Sequence, residues 1–288
     1  MTHRLEDTCV KCLLKNHRGG LPESATPEQT EEFRKRAEAV ILKGAADKTA
    51  PEIVDDINRL RAEMFGVFRD YAQEKRHFNE LMLAMETDIR GRIEAAQDPL
   101  KAAIQFATIG NLIDFGAFPE VSEELLCKLL AGAEDVGVAP EALYGFQSDI
   151  KAAGSILYIT DNCGEIVADK LLIEQIRKEA PDTAITVMVR GFPVANDATK
   201  EDAEFVGLDR VAKVIGNGSG IAGTAVQTLS AEALEALRSA DMIISKGQGN
   251  FETLQYEELP VWYIFLVKCS LFSDRFNVPV LTGMLLKA

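Results

Sequence analysis

The periodicity of the sequence changes near Gly154, and this change restricts the possible folds more than any other feature of the chain. Before Gly154, apolar residues such as Phe33 and Ala37 recur at helical spacing, and the β-branched runs typical of strands are absent. After it, short apolar runs alternate with helical patterns, which requires crossover connections and indicates a mainly parallel sheet. We therefore predict an all-helical domain over residues 1–150 and a three-layer, Rossmann-like α/β domain over residues 151–288.

The apolar runs of the second half predict individual strands. Four runs are predicted to be strands, at residues 155–159, 184–189, 211–215 and 242–244. A fifth run, residues 262–267, fits either a strand or a buried helix. In the first half, Pro51 predicts a helix start, because proline is favoured in the first helical turn. A helix through Ile89 and another over residues 102–112 follow.

Three polar loops follow predicted strands of the α/β half, at residues 160–165, 193–199 and 245–250. In a parallel sheet the carboxyl ends of the strands meet at one edge, which is where ligands bind. The loops supply carboxylates, amide side chains and an ammonium group, among them Asp161, Glu165, Asp197, Asn162, Asn196 and Lys246. Oxygen ligands suit a hard divalent cation and an ammonium suits a phosphate, so the loops predict a site for both.

Each loop also has a purely structural interpretation. The pairs at 161–162 and 196–197 could cap the helices that follow them, because Asp and Asn side chains bond to nearby backbone N–H groups. Lys246 could be an ordinary exposed lysine beside a turn glycine. The appearance of all three loops at one predicted edge favours ligand binding, although capping and ligation are compatible roles.

Several well-known catalytic motifs are absent from the sequence. There is no GxxxxGK[ST] loop, no complete dinucleotide fingerprint and no Gly-x-Ser-x-Gly elbow. The three histidines, His3, His17 and His77, all lie in the helical half. A base at the edge of the sheet is therefore predicted to be a carboxylate or a metal-bound hydroxide.

The charge and the cysteine content restrict the partners and the compartment. A formal net charge of −14 argues against nonspecific binding to nucleic acid or to anionic membranes. The first seven residues are polar, with no apolar signal core, and the longest apolar run, residues 261–267, is too short to span a bilayer. Five cysteines, an odd number, do not form a secreted disulfide framework. We predict a cytoplasmic protein.

Three segments resemble one known family. ITDNCGEI at 159–166, GFPVANDAT at 191–199 and SKGQGNFE at 245–252 closely resemble the metal-dependent damage-control phosphatases, long catalogued as domain of unknown function 89. CVKC at 9–12 and GNLIDF at 110–115 match the prokaryotic branch of that family. The resemblance spans nearly the whole chain, with the motifs in the family's order.

The resemblance implies a function and roles for individual residues. The family hydrolyses small phosphorylated metabolites, often damaged forms or side products, with a divalent metal. Oxygen ligands favour Mg or Mn as that metal, and the family's behaviour leaves Co and Ni open. By motif match, the metal ligands are Asp161, Asn162 and Asp197. The substrate and phosphate site comprises Lys246, Gly247, Asn250, Asn196, Asn111 and Asp114, of which Asn111 and Asp114 come from the helical half.

Two mechanisms are consistent with these residues. In the first, metal-bound water attacks the phosphate, Lys246 stabilises its oxygens, and Glu165 orients the water or protonates the leaving alcohol. In the second, Asp161 attacks phosphorus and forms an aspartyl-phosphate. The sequence lacks the Asp-x-Asp spacing of phosphatases that work in the second way, so the first is favoured.

Two questions stay open at the level of sequence. The Cys9-x-x-Cys12 pair could bind zinc with His3 and His17, act as a redox pair, or pack against the cleft, and packing is favoured. The whole chain could instead be a methyltransferase or a non-catalytic metal- or metabolite-binding module. The methyltransferase lacks support because no glycine-rich loop follows the first strand.

Overall fold

The computed structural model describes residues 5–17, 21–66, 70–114 and 121–288. His3 and Phe115, which the sequence analysis named, lie outside these residues. The helices are α1 (Asp7–Asn16), α2 (Pro27–Gly44), α3 (Ala50–Phe65), α4 (Ala72–Ala95), α5 (Pro99–Gly110), α6 (Glu123–Ala131), α7 (Pro140–Ala152), α8 (Glu165–Glu179), α9 (Lys200–Phe205), α10 (Ala231–Ser239), α11 (Gln248–Leu254) and α12 (Ser270–Phe276). The strands are β1 (Ser155–Ile159), β2 (Ala184–Val189), β3 (Lys213–Gly216), β4 (Met242–Lys246), β5 (Val261–Leu266) and β6 (Gly283–Lys287).

The strands form one sheet in the order β3-β2-β1-β4-β5-β6. The first five are parallel and β6 pairs with β5 in the antiparallel direction. The strand order reverses between β1 and β4, which is the point at which ligands bind in sheets of this type. The predicted α/β class with a mainly parallel sheet is confirmed.

Two details of the sheet differ from the prediction, and one alternative that the sequence left open is resolved. The third strand begins at Lys213 instead of residue 211, because residues 208–210 form a 3-10 turn that delays it. The apolar run near Trp262 is a strand, and all six of its residues are buried. The sixth strand was not predicted, because its apolar residues lack the alternation with polar ones that marks a half-buried strand.

Helices cover both faces of the sheet. Alternate residues of β1 point to opposite faces, so that Ile156 and Tyr158 join one apolar cluster while Leu157 and Ile159 join the other. The first cluster contains buried residues of α4, α5 and α8, and the second contains residues of α10, α11 and α12. The result is the predicted arrangement of three layers, with continuous apolar strands because both faces are covered.

The helices before residue 150 fall into two groups. The first group, α1 to α3, has its own apolar cluster, which includes Phe33, Ile41 and Ile53. In the second group, α5 packs against α8 and contacts β5, and every residue from Leu100 to Gly110 except Lys101 is buried. The core of the sheet therefore includes part of the helical half. The division at residue 150 stays a prediction.

Local signals explain several helix starts. The helix predicted at Pro51 begins at Ala50, and Thr49 caps it in a capping box with Glu52. Within the described residues, none of the helices combines the length and the apolar character that crossing a bilayer requires.

Candidate functional site

The three polar loops meet at the carboxyl edge of the sheet, and backbone contacts hold the first two together. Asn162 and Asp197 form an isolated antiparallel bridge. The N–H of Cys163 donates to the carbonyl of Asn196 at 2.8 Å, and the N–H of Ala198 donates to the carbonyl of Asp161 at 2.8 Å. The predicted ligands of the first two loops are thus brought side by side by the backbone itself.

Gly247 brings the third loop against the first. Its φ of +81° lies in a region that favours glycine, and a Cβ at this position would lie 1.9 Å from Oδ2 of Asp161. The close approach of this backbone to the carboxylate requires a residue without a side chain.

None of the three structural interpretations of the loops holds. The N-cap of α8 is Gly164 and has no side-chain cap, so neither Asp161 nor Asn162 caps that helix. The N-cap of α9 is Thr199, which forms a capping box with Asp202, so the pair at 196–197 does not cap it. Lys246 is fully buried and is not an ordinary surface lysine.

Asn111 and Asn162 fix the Asp161 carboxylate through one of its oxygens. Oδ2 of Asp161 accepts hydrogen bonds from Nδ2 of Asn111 at 3.0 Å and from Nδ2 of Asn162 at 2.8 Å. Both amides also donate to Oε2 of Glu165, at 2.9 and 3.2 Å. The carbonyl oxygen of Asn111 accepts from the N–H of Leu266, which fixes the orientation of its amide.

Arg190 is a site residue that the sequence analysis missed. It directly follows β2 and is 2% exposed. Its Nε donates to Oδ2 of Asp197 at 2.6 Å, its Nη2 donates to Oδ1 of Asn250 at 3.1 Å, and Nη2 lies 3.7 Å from Oδ1 of Asp161. The sequence did contain a signal for this residue: Arg190 is a charged residue directly after an apolar strand, at the carboxyl edge of the sheet where the polar loops meet.

The ammonium of Lys246 is bound entirely by the protein. Nζ donates to the carbonyl of Ala107 at 3.0 Å, to Oε1 of Glu165 at 2.5 Å and to Oδ1 of Asp169 at 2.6 Å. These three acceptors match its three N–H donors. Asp169, which also accepts from the hydroxyl of Tyr158 at 2.7 Å, was missed, although it lies one turn after Glu165 on α8. The contact between Lys246 and phosphate stays a prediction.

A second lysine, Lys268, lies beyond the carboxyl end of β5 and was also missed. Its side chain is 2% exposed, and Nζ donates to Oδ2 of Asp114 at 2.7 Å. Asp114 is the only partner of this ammonium among the described residues, so two of its N–H donors are uncommitted. Burial raises the pKa of Asp161, and the positive charge of Lys268 opposes that rise.

The other two predicted substrate residues serve as connections in this structure. Nδ2 of Asn196 donates to the carbonyl of Ile113 at 2.9 Å and so ties the second loop to the helical half. Nδ2 of Asn250 donates to the carbonyls of Thr160 and Lys246, at 3.0 and 2.7 Å. Their contacts with substrate stay predictions.

The site carries an excess of negative charge in a buried environment. Five carboxylates stand against three cationic side chains, namely Asp114, Asp161, Glu165, Asp169 and Asp197 against Arg190, Lys246 and Lys268. Burial raises the pKa of Asp161 well above its usual range, and the nearby charges of Asp197 and Glu165 raise it further. Burial also raises the pKa of Asp197, while Arg190 opposes that rise. The formal excess equals the charge of one divalent cation.

The oxygens of the predicted metal ligands fit a hard cation. Oδ1 of Asp161 and Oδ1 of Asp197 accept no hydrogen bond from the described residues, and the side-chain hydrogen bonds of Asn162 use its nitrogen, which leaves the amide oxygen. Two carboxylate oxygens and one amide oxygen are ligands of the kind that Mg²⁺ and Mn²⁺ take. Among the described residues there is no cluster of three His, Cys, Asp or Glu side chains suited to a metal.

The cysteine pair lies outside this site. Cys9 is half-buried and lines a cavity with Glu252 and Leu271, whereas Cys12 is exposed, and both thiols are free. Burial, followed by the charge of Glu252, raises the pKa of Cys9 to about 12. His17 is buried with Nδ1 3.2 Å from the carbonyl of Leu13, and His3 lies outside the described residues. Packing of the pair against the cleft and zinc binding both stay predictions.

The fold and the site together define a class of protein: a Rossmann-like α/β protein with an acidic, oxygen-lined site where its strand order reverses. Residues 5–281 match the model of the damage-control phosphatase ARMT1-like domain. The chain belongs to this family, and the resemblance seen in its motifs is confirmed.

Individual relatives agree with this assignment. The chain is 31% identical over 295 residues to an uncharacterised protein of Methanocaldococcus jannaschii, covering 99% of this chain and 95% of that protein. It is 32% identical over 227 residues to a damage-control phosphatase of Archaeoglobus fulgidus (78% and 77% covered), and 39% identical over 180 residues to one of Pyrococcus horikoshii (62% and 61%). The crystal structure of a family protein from P. horikoshii matches with a TM-score of 0.78 at 28% identity, covering 99% of both chains. Family membership supports a phosphatase role.

Proposed function

We propose that this protein is a phosphomonoester hydrolase that requires a divalent metal and acts on small phosphorylated metabolites. The observation that carries the proposal is the buried excess of two negative charges beside three oxygens without hydrogen bonds from the described residues. Such an arrangement is costly unless a cation neutralises it. The names of the Archaeoglobus and Pyrococcus relatives support the phosphatase chemistry.

Asp161, Asn162 and Asp197 would hold the metal, for which Mg, Mn, Co and Ni are the candidates. When bound, a divalent cation neutralises charge on a phosphate and lowers the pKa of a water molecule. The hydrogen bonds from Asn111 and Asn162 hold Oδ2 of Asp161 and leave Oδ1 for the metal. The carboxylate is therefore presented in one fixed orientation before any ligand binds.

Lys268 supplies the cation for the phosphate oxygens. Two of its three N–H donors are uncommitted within the described structure, and it lies at the same edge as the metal ligands. Lys246 stabilises the site indirectly. Its ammonium donates to Glu165, and Glu165 accepts a hydrogen bond from the amide of Asn162. If substrate binding frees Lys246 from Glu165, the family's lysine contact with phosphate becomes available as well.

Water, rather than Asp161, is proposed as the nucleophile. One oxygen of Asp161 is held by two amides, and the other is needed for the metal. Rapid acid quenching with a radiolabelled substrate tests this point, since a trapped phosphoenzyme would contradict it.

The test of the function is a hydrolysis assay with para-nitrophenyl phosphate and a panel of phosphorylated metabolites. Each substrate is incubated with Mg²⁺, Mn²⁺, Co²⁺ or Ni²⁺, and then with a chelator. We expect hydrolysis that stops when the metal is removed, and loss of at least 100-fold in the Asp161→Asn variant. Asp209→Asn, which changes an exposed aspartate outside the site, is the matched control. Silence with every metal and substrate, or activity that resists the chelator, refutes the proposal.

A further inference from the structure

Arg190 connects the segments that follow four different strands. Asp161 follows β1, Asp197 follows β2 beyond Arg190 itself, Gly223 and its neighbour Thr224 follow β3, and Asn250 follows β4. One buried guanidinium reaches all of them. The other two cationic side chains of the described site, Lys246 and Lys268, each contact no more than two of these segments.

The five N–H donors of Arg190 are distributed in a fixed pattern. Nε donates to Oδ2 of Asp197 at 2.6 Å, and Nη1 donates to the carbonyl of Gly223 at 2.9 Å. Nη1 also lies 3.5 Å from Oγ1 of Thr224, whose hydroxyl donates to Oδ1 of Asn250 at 2.7 Å. The carbonyl of Gly223 and the amide of Asn250 therefore fix the guanidinium in one orientation.

The guanidinium contacts the two carboxylates unequally. The guanidinium binds one oxygen of Asp197 and stays 3.7 Å from Oδ1 of Asp161. Hydrogen bonds to Gly223 and Asn250 hold the planar guanidinium in this position. A lysine has one compact ammonium on a flexible stem in place of this fork, so it could not bond to Asp197, Gly223 and Asn250 at the same time.

We propose that Arg190 is a positioning residue that holds Asp197 in the orientation required for the divalent cation, with Gly223, Thr224 and Asn250 as its anchor. The inference rests on the proposed metal dependence. It predicts that replacement of Arg190 weakens metal binding more than it changes the chemistry at saturating metal.

The test measures Mn²⁺ binding without substrate, by isothermal titration calorimetry and by electron paramagnetic resonance of the free ion. Arg190→Lys is compared with Thr224→Val and with the double variant. Arg177→Lys is the matched control, because Arg177 also bonds to a backbone carbonyl, that of Val211, but lies away from the site. The melting temperature without metal shows whether each variant is folded. If Arg190→Lys does not fold, Thr224→Val, which removes only a hydroxyl, is used to test the inference in its place.

We expect Arg190→Lys to weaken Mn²⁺ binding at least tenfold, Thr224→Val about threefold, and Arg177→Lys not at all. Because the hydroxyl acts through Arg190, Thr224→Val should add nothing in the Arg190→Lys background. At saturating Mn²⁺, kcat of Arg190→Lys should stay within threefold of the wild type, as a positioning role requires. Wild-type affinity in Arg190→Lys, or lost kcat with unchanged affinity, overturns the inference alone. A wild-type protein that binds no Mn²⁺ overturns the proposed metal dependence and this inference together.

Discussion

Replacement of Gly247 by alanine tests whether the close approach of this backbone to Asp161 is important for activity. In Gly247→Ala, the new Cβ would lie 1.9 Å from Oδ2 of Asp161 and 2.3 Å from its Cγ. Real Cβ atoms essentially never approach another atom within 3.0 Å, so the carboxylate or the loop must retreat by about 1 Å or more. The hydrogen bonds from Asn111 and Asn162 to that oxygen would be lost or distorted.

Two effects add to give the expected magnitude. The backbone at Gly247 has φ 81° and ψ 157°, a region open almost only to glycine, so alanine there costs about 1–3 kcal/mol of strain. Distortion of two buried hydrogen bonds brings the total loss in the free energy of unfolding to about 2–4 kcal/mol. A misplacement of about 1 Å at a catalytic carboxylate lowers kcat/KM by about 100-fold.

The assay combines urea unfolding with metal-dependent hydrolysis. Gly207→Ala is the control, because Gly207 also has a positive φ, of 73°, but a Cβ there would meet nothing closer than 3.6 Å. That variant should lose about 1 kcal/mol of stability and keep its activity. If Gly247→Ala binds Mn²⁺ and turns over like the control, the close approach to Asp161 has no functional importance and the reasoning is refuted.

Three further predictions concern single side chains. Lys268→Met should raise KM for a phosphorylated substrate at least tenfold, in steady-state kinetics at saturating metal, whereas Lys213→Met at the exposed edge should not. Burial raises the pKa of Glu252 from 4.5 to about 7, so the folded state holds this proton more tightly than the unfolded state does. That stabilisation is complete below pH 4.5 and is lost as the pH rises through 7. Relative to the wild type, Glu252→Gln should therefore gain about 1–3 kcal/mol between pH 4.5 and pH 8 in urea unfolding curves, and parallel curves would contradict it. Tyr158→Phe should lose about 1–2 kcal/mol because its hydroxyl bonds to a buried carboxylate. Tyr263→Phe should lose nothing by the same measurement, because within the described structure its buried hydroxyl has no partner.

The parts of the fold that could be predicted are those set by local periodicity. The strands near Ile156, Val187 and Ile243 are buried on both faces, and their continuous apolar runs are visible in the sequence. The strand β6 could not be identified in this way, because it is half-buried at the edge of the sheet, where it pairs with β5 alone among the strands.

The loops of the site were predictable, but the partners of their side chains were not. Lys246 faces the same side of β4 as Ile244, two residues earlier, and that side is covered by α8, which carries Glu165 and Asp169. The alternation of side chains along β4 therefore determines the face on which Lys246 lies. The sequence does not show which helix covers that face, so the contact with α8 could not be predicted. Arg190 and Lys268 were missed for the same reason, since their roles depend on neighbours that are distant in sequence.

The burial of α5 limits how this protein can be divided or recombined. The helix delivers the carbonyl of Ala107 to Lys246, and Asn111 directly after it holds Asp161, so the reactive centre is not assembled by the second half alone. A fragment that begins at residue 151 would leave a buried ammonium with one acceptor fewer and an apolar sheet face uncovered. Exchange of segments between relatives with different substrates should therefore leave α5 and the sheet together and replace only the cluster of α1 to α3.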